Sequence, residues 1–195
     1  MEYNHQTLDE FLSGIASPRV TPAGGSAAAV VGAVGTSLCE MACIHTIGKE
    51  GYEDVEPQLS EIQTNLQHQR RALMGLAGAD AEAVSELLSA SEETSREIAA
   101  MKAVGVPITI AKACSTVLDD AVVVTATANE NAVPDAGTGS YFVHSTLESS
   151  LFTARTNLQS IEETPTVRKM QNQTAAIERA AEAAFGEIIE NIQPR

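Results

Sequence analysis

The chain has 195 residues, of which 44% are hydrophobic and 4% aromatic, and it is long enough for one domain with a substantial core. Its formal net charge of -14 arises from 26 acidic and 12 basic residues, so we expect it to bind neither nucleic acid nor an anionic membrane. Only four of the basic residues are lysines, and a dispersed acidic excess of this kind indicates adaptation to high salt (a halophilic protein), with an ordinary acidic cytosolic protein as the alternative.

The N-terminal sequence gives no sign of export. The first residues, MEYNHQTLDEF, contain neither a basic start nor an apolar segment, and the three cysteines form no disulfide framework. We therefore expect a cytoplasmic protein with reduced cysteines. The apolar run at residues 26–39 is shorter than the roughly 20 residues needed to cross a bilayer, so we predict no membrane span. With no linker or repeat, residues 1–195 are treated as a single domain.

The first predicted helix begins at a capping box. Thr7 precedes Glu10 by three residues, a spacing at which each side chain can cap the backbone of the other residue. Ser17 and Pro18 end this short helix. Its apolar face consists of Leu8, Phe11, Leu12 and Ile15.

A glycine turn at residues 21–26 leads into the second helix. Gly24 and Gly25 permit close approach, and the free amides of these residues and of Ser26 could bind an anion or the edge of a substrate. A plain helix start with a serine cap is the alternative. Small residues then recur at four-residue spacing, which lets helices pack closely. One row is Ala28, Gly32 and Thr36, and the other is Gly35, Cys39 and Cys43.

An aspartate interrupts the apolar face of the third helix, which is predicted from about residue 55 to about residue 88. Leu73 and Leu87 lie on the inward seam, and Asp80 lies between them, seven residues from each. Burial disfavours the charged form of a carboxyl and moves its pKa towards the range used in proton transfer. A structural aspartate that accepts hydrogen bonds from a helix end or an arginine is the alternative.

The fourth helical stretch is predicted in two parts. A helix beginning near residue 94 is expected to stop at Gly105, and Pro107 is expected to open a new helix that continues to about Thr125. Residues 122–127 are rich in β-branched side chains and could form a strand, but the surrounding helical period disfavours it.

A second irregular segment, residues 129–137, is dense in turn-forming residues and precedes a helix that runs to about Ile161. Thr164 and Pro165 then form the cap and first turn of a last helix. The predicted fold class is all-α, a bundle of five or six mostly antiparallel helices that we expect to pair as a homodimer.

The two irregular segments, taken with Asp80, resemble the formiminotransferase-cyclodeaminase family, both its cyclodeaminase domain and its stand-alone methenyltetrahydrofolate cyclohydrolases. The matching motifs follow the family's order over residues 7–162. They are Ser17-Pro18, residues 22–26, Gly48-Lys49 with Tyr52, residues 80–83, Val106-Pro107, residues 129–137 and residues 155–158. The sequence departs from the family at Ala23, Val84, Glu130 and Pro134, where the family usually has glycine, phenylalanine, proline and serine.

The resemblance implies an all-helical homodimer that acts on one-carbon adducts of tetrahydrofolate without a metal or redox cofactor. The family's catalytic aspartate corresponds to Asp80, which would give and take a proton beside the reacting carbon. The substrate-binding candidates combine the glycine turn, polar groups suited to a pterin ring, and rare cations suited to an anionic glutamate tail. They are Gly24, Gly25, Ser26, Lys49, Asn131, Asp135, Arg155 and Asn157.

Each group of candidates has a plainer interpretation. Asn131 and Asp135 could simply form a turn. The rare cations Lys49 and Arg155, and Arg19 as a further candidate of this kind, could be solvated surface groups. No metal site is predicted, because Cys39 and Cys43 lack a second ligand pair with zinc-binding spacing.

Three functions compete at this point. The first is a folate one-carbon enzyme, either a cyclohydrolase or a cyclodeaminase; the lack of a fused formiminotransferase domain favours the cyclohydrolase. The second is a non-catalytic helical dimer that binds folate or a partner protein. The departures from the family at Glu130 and Pro134 favour this alternative. The third is an enzyme of the same fold that acts on another amidine or cyclic substrate.

Overall fold

The computed structural model describes residues 3–193, and every regular element in that range is helical. After a short 3₁₀ turn at Tyr3–His5 come six α-helices, which confirms the predicted all-α bundle. They are α1 (Leu8–Ile15), α2 (Gly24–Ile44), α3 (Glu56–Ser89), α4 (Glu93–Thr127), α5 (Val133–Leu158) and α6 (Pro165–Ile192).

The five long helices, α2 to α6, form an up-and-down bundle in which consecutive helices are antiparallel. Helix α2 packs on α3 and α5, and α4 lies against α3, α5 and α6. The start of α2 therefore meets the C-terminal half of α3 and the C-terminal half of α5: Ser26 contacts Asp80, and Thr146 donates to the Ala28 carbonyl. Between these helices lie wholly buried side chains that include Leu66, Leu73, Leu118, Leu147 and Leu151.

Glycines allow the backbones of α2 and α5 to come close. A Cβ at position 35 would lie 2.5 Å from the carbonyl oxygen of Gly139, and one at position 32 would lie 2.9 Å from the methyl group of Thr146. Neither position can carry a side chain unless the helices separate. The rows of small residues predicted in α2 therefore serve the close packing expected of them.

Helix α4 is continuous from Glu93 to Thr127, so the predicted stop at Gly105 is wrong. Pro107 lies inside the helix and, lacking an N–H, leaves the carbonyl of Ala103 without its helical partner. The side-chain amide of Asn157 on α5 donates to that oxygen at 2.8 Å. This hydrogen bond from a neighbouring helix offsets the loss and lets α4 continue through the proline. Residues 122–127 are also helical, so the alternative of a strand is excluded.

The N-terminal segment has the capping box predicted for it. The Thr7 hydroxyl accepts from the Glu10 amide, and the Glu10 carboxylate accepts from the Thr7 amide at 2.7 Å. Of the predicted apolar face only Phe11 is buried, where it makes an edge contact with Tyr3, whereas Leu8 and Leu12 remain 70% and 53% exposed. Helix α1 consequently lies at the edge of the bundle rather than within its core.

By length and composition alone, α2 and α4 could each cross a bilayer. Half of the apolar window in each is buried against other helices of the bundle. Helices at the centre of an all-α core have the same character.

We predict that Gly35→Ala destabilises the fold by about 1–3 kcal/mol, because the added methyl group forces α2 and α5 apart. Gly75→Ala is the matched control, since position 75 is an exposed helical site with no atom within 4 Å of its Cβ. There alanine should stabilise the helix by roughly 0.5–1 kcal/mol. Urea unfolding at a fixed protein concentration measures both, and equal effects of the two substitutions would contradict the packing account.

Candidate functional site

Asp80 lies on the buried side of α3, where the interrupted apolar seam predicted it, and is only 6% exposed. Its carboxyl lies over the first turn of α2. The absence of a side chain at Gly25 makes this possible, because a Cβ there would approach all three carboxyl atoms to under 3.0 Å. The glycine turn and the aspartate, identified separately in the sequence, form one site.

Ser26 is the polar partner of Asp80. Its hydroxyl is wholly buried and lies 2.9 Å from Oδ2 of Asp80 and 2.9 Å from the carbonyl oxygen of Ala77. The backbone amide of Ser26 also donates to the carboxylate. Helix α2 has no side-chain cap of its own, since its N-cap residue is Ala23. Asp80 supplies that cap from the neighbouring helix.

Burial raises the pKa of Asp80 above its ordinary value, and the hydrogen bonds from the hydroxyl and amide of Ser26 oppose that rise. The opposition is incomplete, so the carboxyl is held closer to neutrality than a solvated aspartate. A carboxyl in this condition can exchange a proton with a bound ligand at moderate pH.

The two contacts of the Ser26 hydroxyl let the site accommodate either protonation state of Asp80. A hydroxyl has one hydrogen and can donate to one acceptor at a time. When Asp80 is ionised, Ser26 donates to its carboxylate. When Asp80 is protonated, its own O–H can donate to Ser26, which turns its hydrogen to the Ala77 carbonyl. In both protonation states, every hydroxyl hydrogen of Ser26 and Asp80 therefore has an acceptor.

Gly24, the first residue of α2, is exposed, and its amide and that of Gly25 belong to the first helical turn. Such amides lack helical acceptors and favour an anion or an oxygen placed over the helix start. Ala23 has φ -114°, a conformation open to any residue, so the alanine that replaces the family's glycine is accommodated without strain.

The second group of candidates lies at the opposite end of the bundle. The side chain of Asn129 donates to the carbonyl of His45, just beyond the end of α2, and this contact anchors the segment that carries Asn131 and Asp135. Lys49 lies in the same region, with its ammonium group over the ring of Tyr52. Since α2 has 21 residues, about 30 Å separates this group from Asp80 within one chain. Lys49, Asn131 and Asp135 are all exposed.

Arg155 and Asn157, near the end of α5, make interhelical contacts. The guanidinium of Arg155 forms a two-pronged ion pair with Glu178 of α6, at 2.8 and 2.7 Å. The side-chain amide of Asn157 donates to the Ala103 carbonyl. Their assignment as substrate ligands stays a prediction, and within the chain they tie α5 to α6 and to α4.

Asp120 is a perturbed carboxyl that the sequence interpretation missed. Burial raises its pKa to about 6, and the side-chain amide of Asn65 donates to it at 2.6 Å. It borders a cavity of about 740 Å³ between α3 and α4. Asn65 precedes Asp80 by 15 positions on α3, or about 20 Å, so the two carboxyls belong to different places. The pair Asp119-Asp120 inside an apolar stripe was the signal available in the sequence.

Among residues 3–193, no group of three or more histidine, cysteine or acidic side chains is arranged to hold a metal ion. Cys39 and Cys43 are buried, and burial raises the pKa of each to about 12. They are inert packing residues at the α2 interface rather than ligands or nucleophiles.

Comparison with known proteins places this arrangement in a family. The family model for formiminotransferase-cyclodeaminase matches residues 7–176. The chain belongs to the formiminotransferase-cyclodeaminase family. Methenyltetrahydrofolate cyclohydrolase of Methylorubrum extorquens is 32% identical to it over 171 residues, which make up 82% of each chain. The crystal structure of formiminotetrahydrofolate cyclodeaminase from Thermotoga maritima matches with a TM-score of 0.93 at 27% identity, over 97% of this chain and 96% of that one. The resemblance inferred from sequence motifs is thereby confirmed.

We predict that Ser26→Ala raises the pKa of Asp80 further, because it removes a hydrogen bond that favours the ionised carboxylate. The carboxyl ¹³C shift of Asp80, identified by its loss in Asp80→Asn, can be followed against pH. Ser140→Ala is the control, since Ser140 is equally buried but donates to the Ala136 carbonyl and has no contact with Asp80 among the hydrogen bonds of the described residues. An unchanged titration in Ser26→Ala, or an equal shift in both variants, would contradict the pairing.

Proposed function

We propose that this protein is a folate one-carbon enzyme that acts on the amidine or methenyl bridge of tetrahydrofolate. The observation that carries the proposal is a buried carboxyl, with its pKa raised by burial, at a glycine turn in a chain of this family. Two reactions fit. One hydrolyses 5,10-methenyltetrahydrofolate to 10-formyltetrahydrofolate, and the other closes 5-formiminotetrahydrofolate to 5,10-methenyltetrahydrofolate with loss of ammonia.

Both reactions pass through a tetrahedral carbon between two nitrogens, and neither changes an oxidation state, so we propose that no redox cofactor takes part. In the hydrolysis, water adds to the bridging carbon while ionised Asp80 takes one of its protons. The protonated carboxyl then gives that proton to N5 as the bond between N5 and the carbon breaks, and the hydroxyl on the carbon releases its proton to solvent as the formyl C=O forms. In the cyclodeamination, N10 attacks the formimino carbon, and Asp80 transfers the proton with which ammonia departs.

Hydrolysis is the reaction we favour. The cyclohydrolase relative is 32% identical to this chain, against 27% for the cyclodeaminase structure, over comparable shares of the chain. The amides of Gly24 and Gly25 would then face an oxygen of the substrate or of the tetrahedral intermediate, as the first turn of a helix is suited to do.

We further propose a homodimer formed through the exposed α2–α5 face, defined by Val31, Val34 and Leu38 on α2 and by Phe142 and Phe152 on α5. Val34 is 48% exposed and Phe152 is 70% exposed. No charged residue lies among these positions, although the chain carries a net charge of -14. An uncharged apolar face on so acidic a molecule suits a second copy, because a two-fold interface requires only a face complementary to itself.

The same dimer would unite the two groups of candidate residues. A two-fold axis running across α2, near Val34, would bring the end bearing Lys49, Asn131 and Asp135 of one protomer to the Asp80 end of the other. A substrate bound there would contact both copies. We propose this orientation because it accounts for exposed polar candidates that lie a helix length away from the carboxyl in their own chain.

We predict that Asp80→Asn lowers the turnover of 5,10-methenyltetrahydrofolate by about 10²- to 10⁴-fold, because an amide cannot exchange the proton. The fold should survive, since the amide oxygen can still accept from Ser26. The near-ultraviolet absorbance of the methenyl compound measures the rate, and circular dichroism measures the fold. Asp120→Asn, at a carboxyl whose pKa is also raised but which lies away from Asp80, is the control and should retain activity.

Retention of the wild-type rate in Asp80→Asn would overturn the assigned role. Wild-type protein that binds folate in calorimetry but turns over neither compound would instead favour the non-catalytic dimer.

We predict that Val34→Glu converts the dimer to a monomer, because it places a carboxylate on the apolar α2–α5 face of both copies. Sedimentation velocity measures the change. Ile98→Glu is the matched control, since Ile98 is 66% exposed at the start of α4, away from that face. A wild-type monomer, or a dimer unaffected by Val34→Glu, would contradict the proposed interface.

A further inference from the structure

A polar cavity lies beside the glycine turn, on the side away from the bundle core. It has a volume of about 460 Å³, is partly open to solvent, and is lined by residues just before α1, by α1 and by the segment that joins α1 to α2. Ser13 and Gly14 of α1 line one side, and Arg19 and Pro22 line the other. None of the functional roles assigned above uses this cavity.

Arg19 is held in place at the wall of this cavity. The Ser17 hydroxyl donates to the Gly14 carbonyl at 2.7 Å and accepts from both the backbone amide and Nε of Arg19, each at 3.3 Å. Gly14 leaves room for the guanidinium, since a Cβ there would lie 3.3 Å from its Nη2 and 3.2 Å from Cδ of Pro22. A single serine therefore fixes the arginine, and a glycine provides the space it occupies.

The guanidinium of Arg19 has no carboxylate partner in the described part of the chain, where Arg70, Arg155 and Arg168 are each ion-paired. The acidic residue of the cavity wall, Glu10, already accepts from the amide and hydroxyl of Thr7, and these hydrogen bonds lower its pKa. Both terminal nitrogens of Arg19 thus remain available for an anion, which a planar guanidinium can bind through two parallel hydrogen bonds.

The cavity is close to the reacting carboxyl. Pro22 precedes Gly25 by three residues, which span at most about 11 Å, and the Asp80 carboxyl lies against Gly25. In a folate, an aminobenzoyl group of comparable length separates the one-carbon bridge from the glutamate. A substrate with its bridge at Asp80 can therefore place its glutamate in this cavity.

We propose that Arg19 binds a carboxylate of the glutamate tail of the folate substrate in this cavity. The inference rests on the proposed function. On a surface with a net charge of -14 an anionic tail is repelled unless it meets a positioned cation. The other predicted cations are less suited within one chain, because Arg155 is paired with Glu178 and Lys49 lies at the far end of α2.

Arg19→Gln tests this proposal with two substrates, 5,10-methenyltetrahydrofolate and the corresponding tetrahydropteroate, which lacks the glutamate. With the folate, KM should rise roughly tenfold and kcat should change little, because an ionic hydrogen bond is lost away from the reacting carbon. With the pteroate, KM should be the same for variant and wild type. Arg19→Lys should recover only part of the loss, since lysine cannot form the two-pronged contact.

Arg96→Gln is the control, an exposed arginine on α4 without an ion pair in the described chain, and it should leave both KM values unchanged. An active wild type in which Arg19→Gln changes neither KM, or changes both equally, would overturn the inference and leave the proposed function intact. A wild type that neither turns over the folate nor binds 5-formyltetrahydrofolate in calorimetry would overturn both.

Discussion

The burial of the Asp80 carboxyl against the first turn of α2 is the constraint on which the other features of this protein depend. A carboxyl removed from water must have its hydrogen bonds supplied by the protein, and here the hydroxyl and amide of Ser26 supply them. Position 25 must then be glycine, since a Cβ there would occupy the place of the carboxyl. The contact by which an aspartate of one helix caps another is thus also the place of the proposed chemistry.

Close packing along α2 maintains that contact. Gly32 and Gly35 set the distance between α2 and α5, while α3 lies on the other side of α2 and carries Asp80 to its place. The exposed side of α2 is apolar and uncharged, and it is the surface proposed for a second copy. A single helix of small residues therefore serves the core, the carboxyl site and the proposed interface.

The sequence was sufficient for those parts of the structure that depend on local pattern. Apolar periodicity predicted the helices, Thr7 and Thr164 predicted two of their starts, and the break in the seam at Asp80 predicted the buried carboxyl. It failed where a distant partner decides the outcome. The helix stop predicted at Gly105 does not occur, because Asn157 satisfies the carbonyl that Pro107 leaves free.

The residues of the candidate site also divide into those with a local signal in the sequence and those that depend on a distant partner. Gly25, Ser26 and Asp80 could each be identified from motif and spacing, because each is unusual within its own helix, but only the structure showed that they are in contact. The ion pair between Arg155 and Glu178, and the hydrogen bond that holds Asp120, join residues far apart in the chain and leave no local signal. Arg19 could be named from the sequence only as one of the rare cations, and its position beside a cavity, next to Ser17 and Gly14, was shown by the structure.

A crystal structure of the protein with a bound, non-reacting 5-formyltetrahydrofolate tests the central claim most directly. The account predicts the one-carbon group within about 3 Å of the Asp80 carboxyl, or one water molecule from it, over the first turn of α2. A folate bound elsewhere, with Asp80 still covered only by protein, would contradict the claim and reduce the carboxyl to a helix cap.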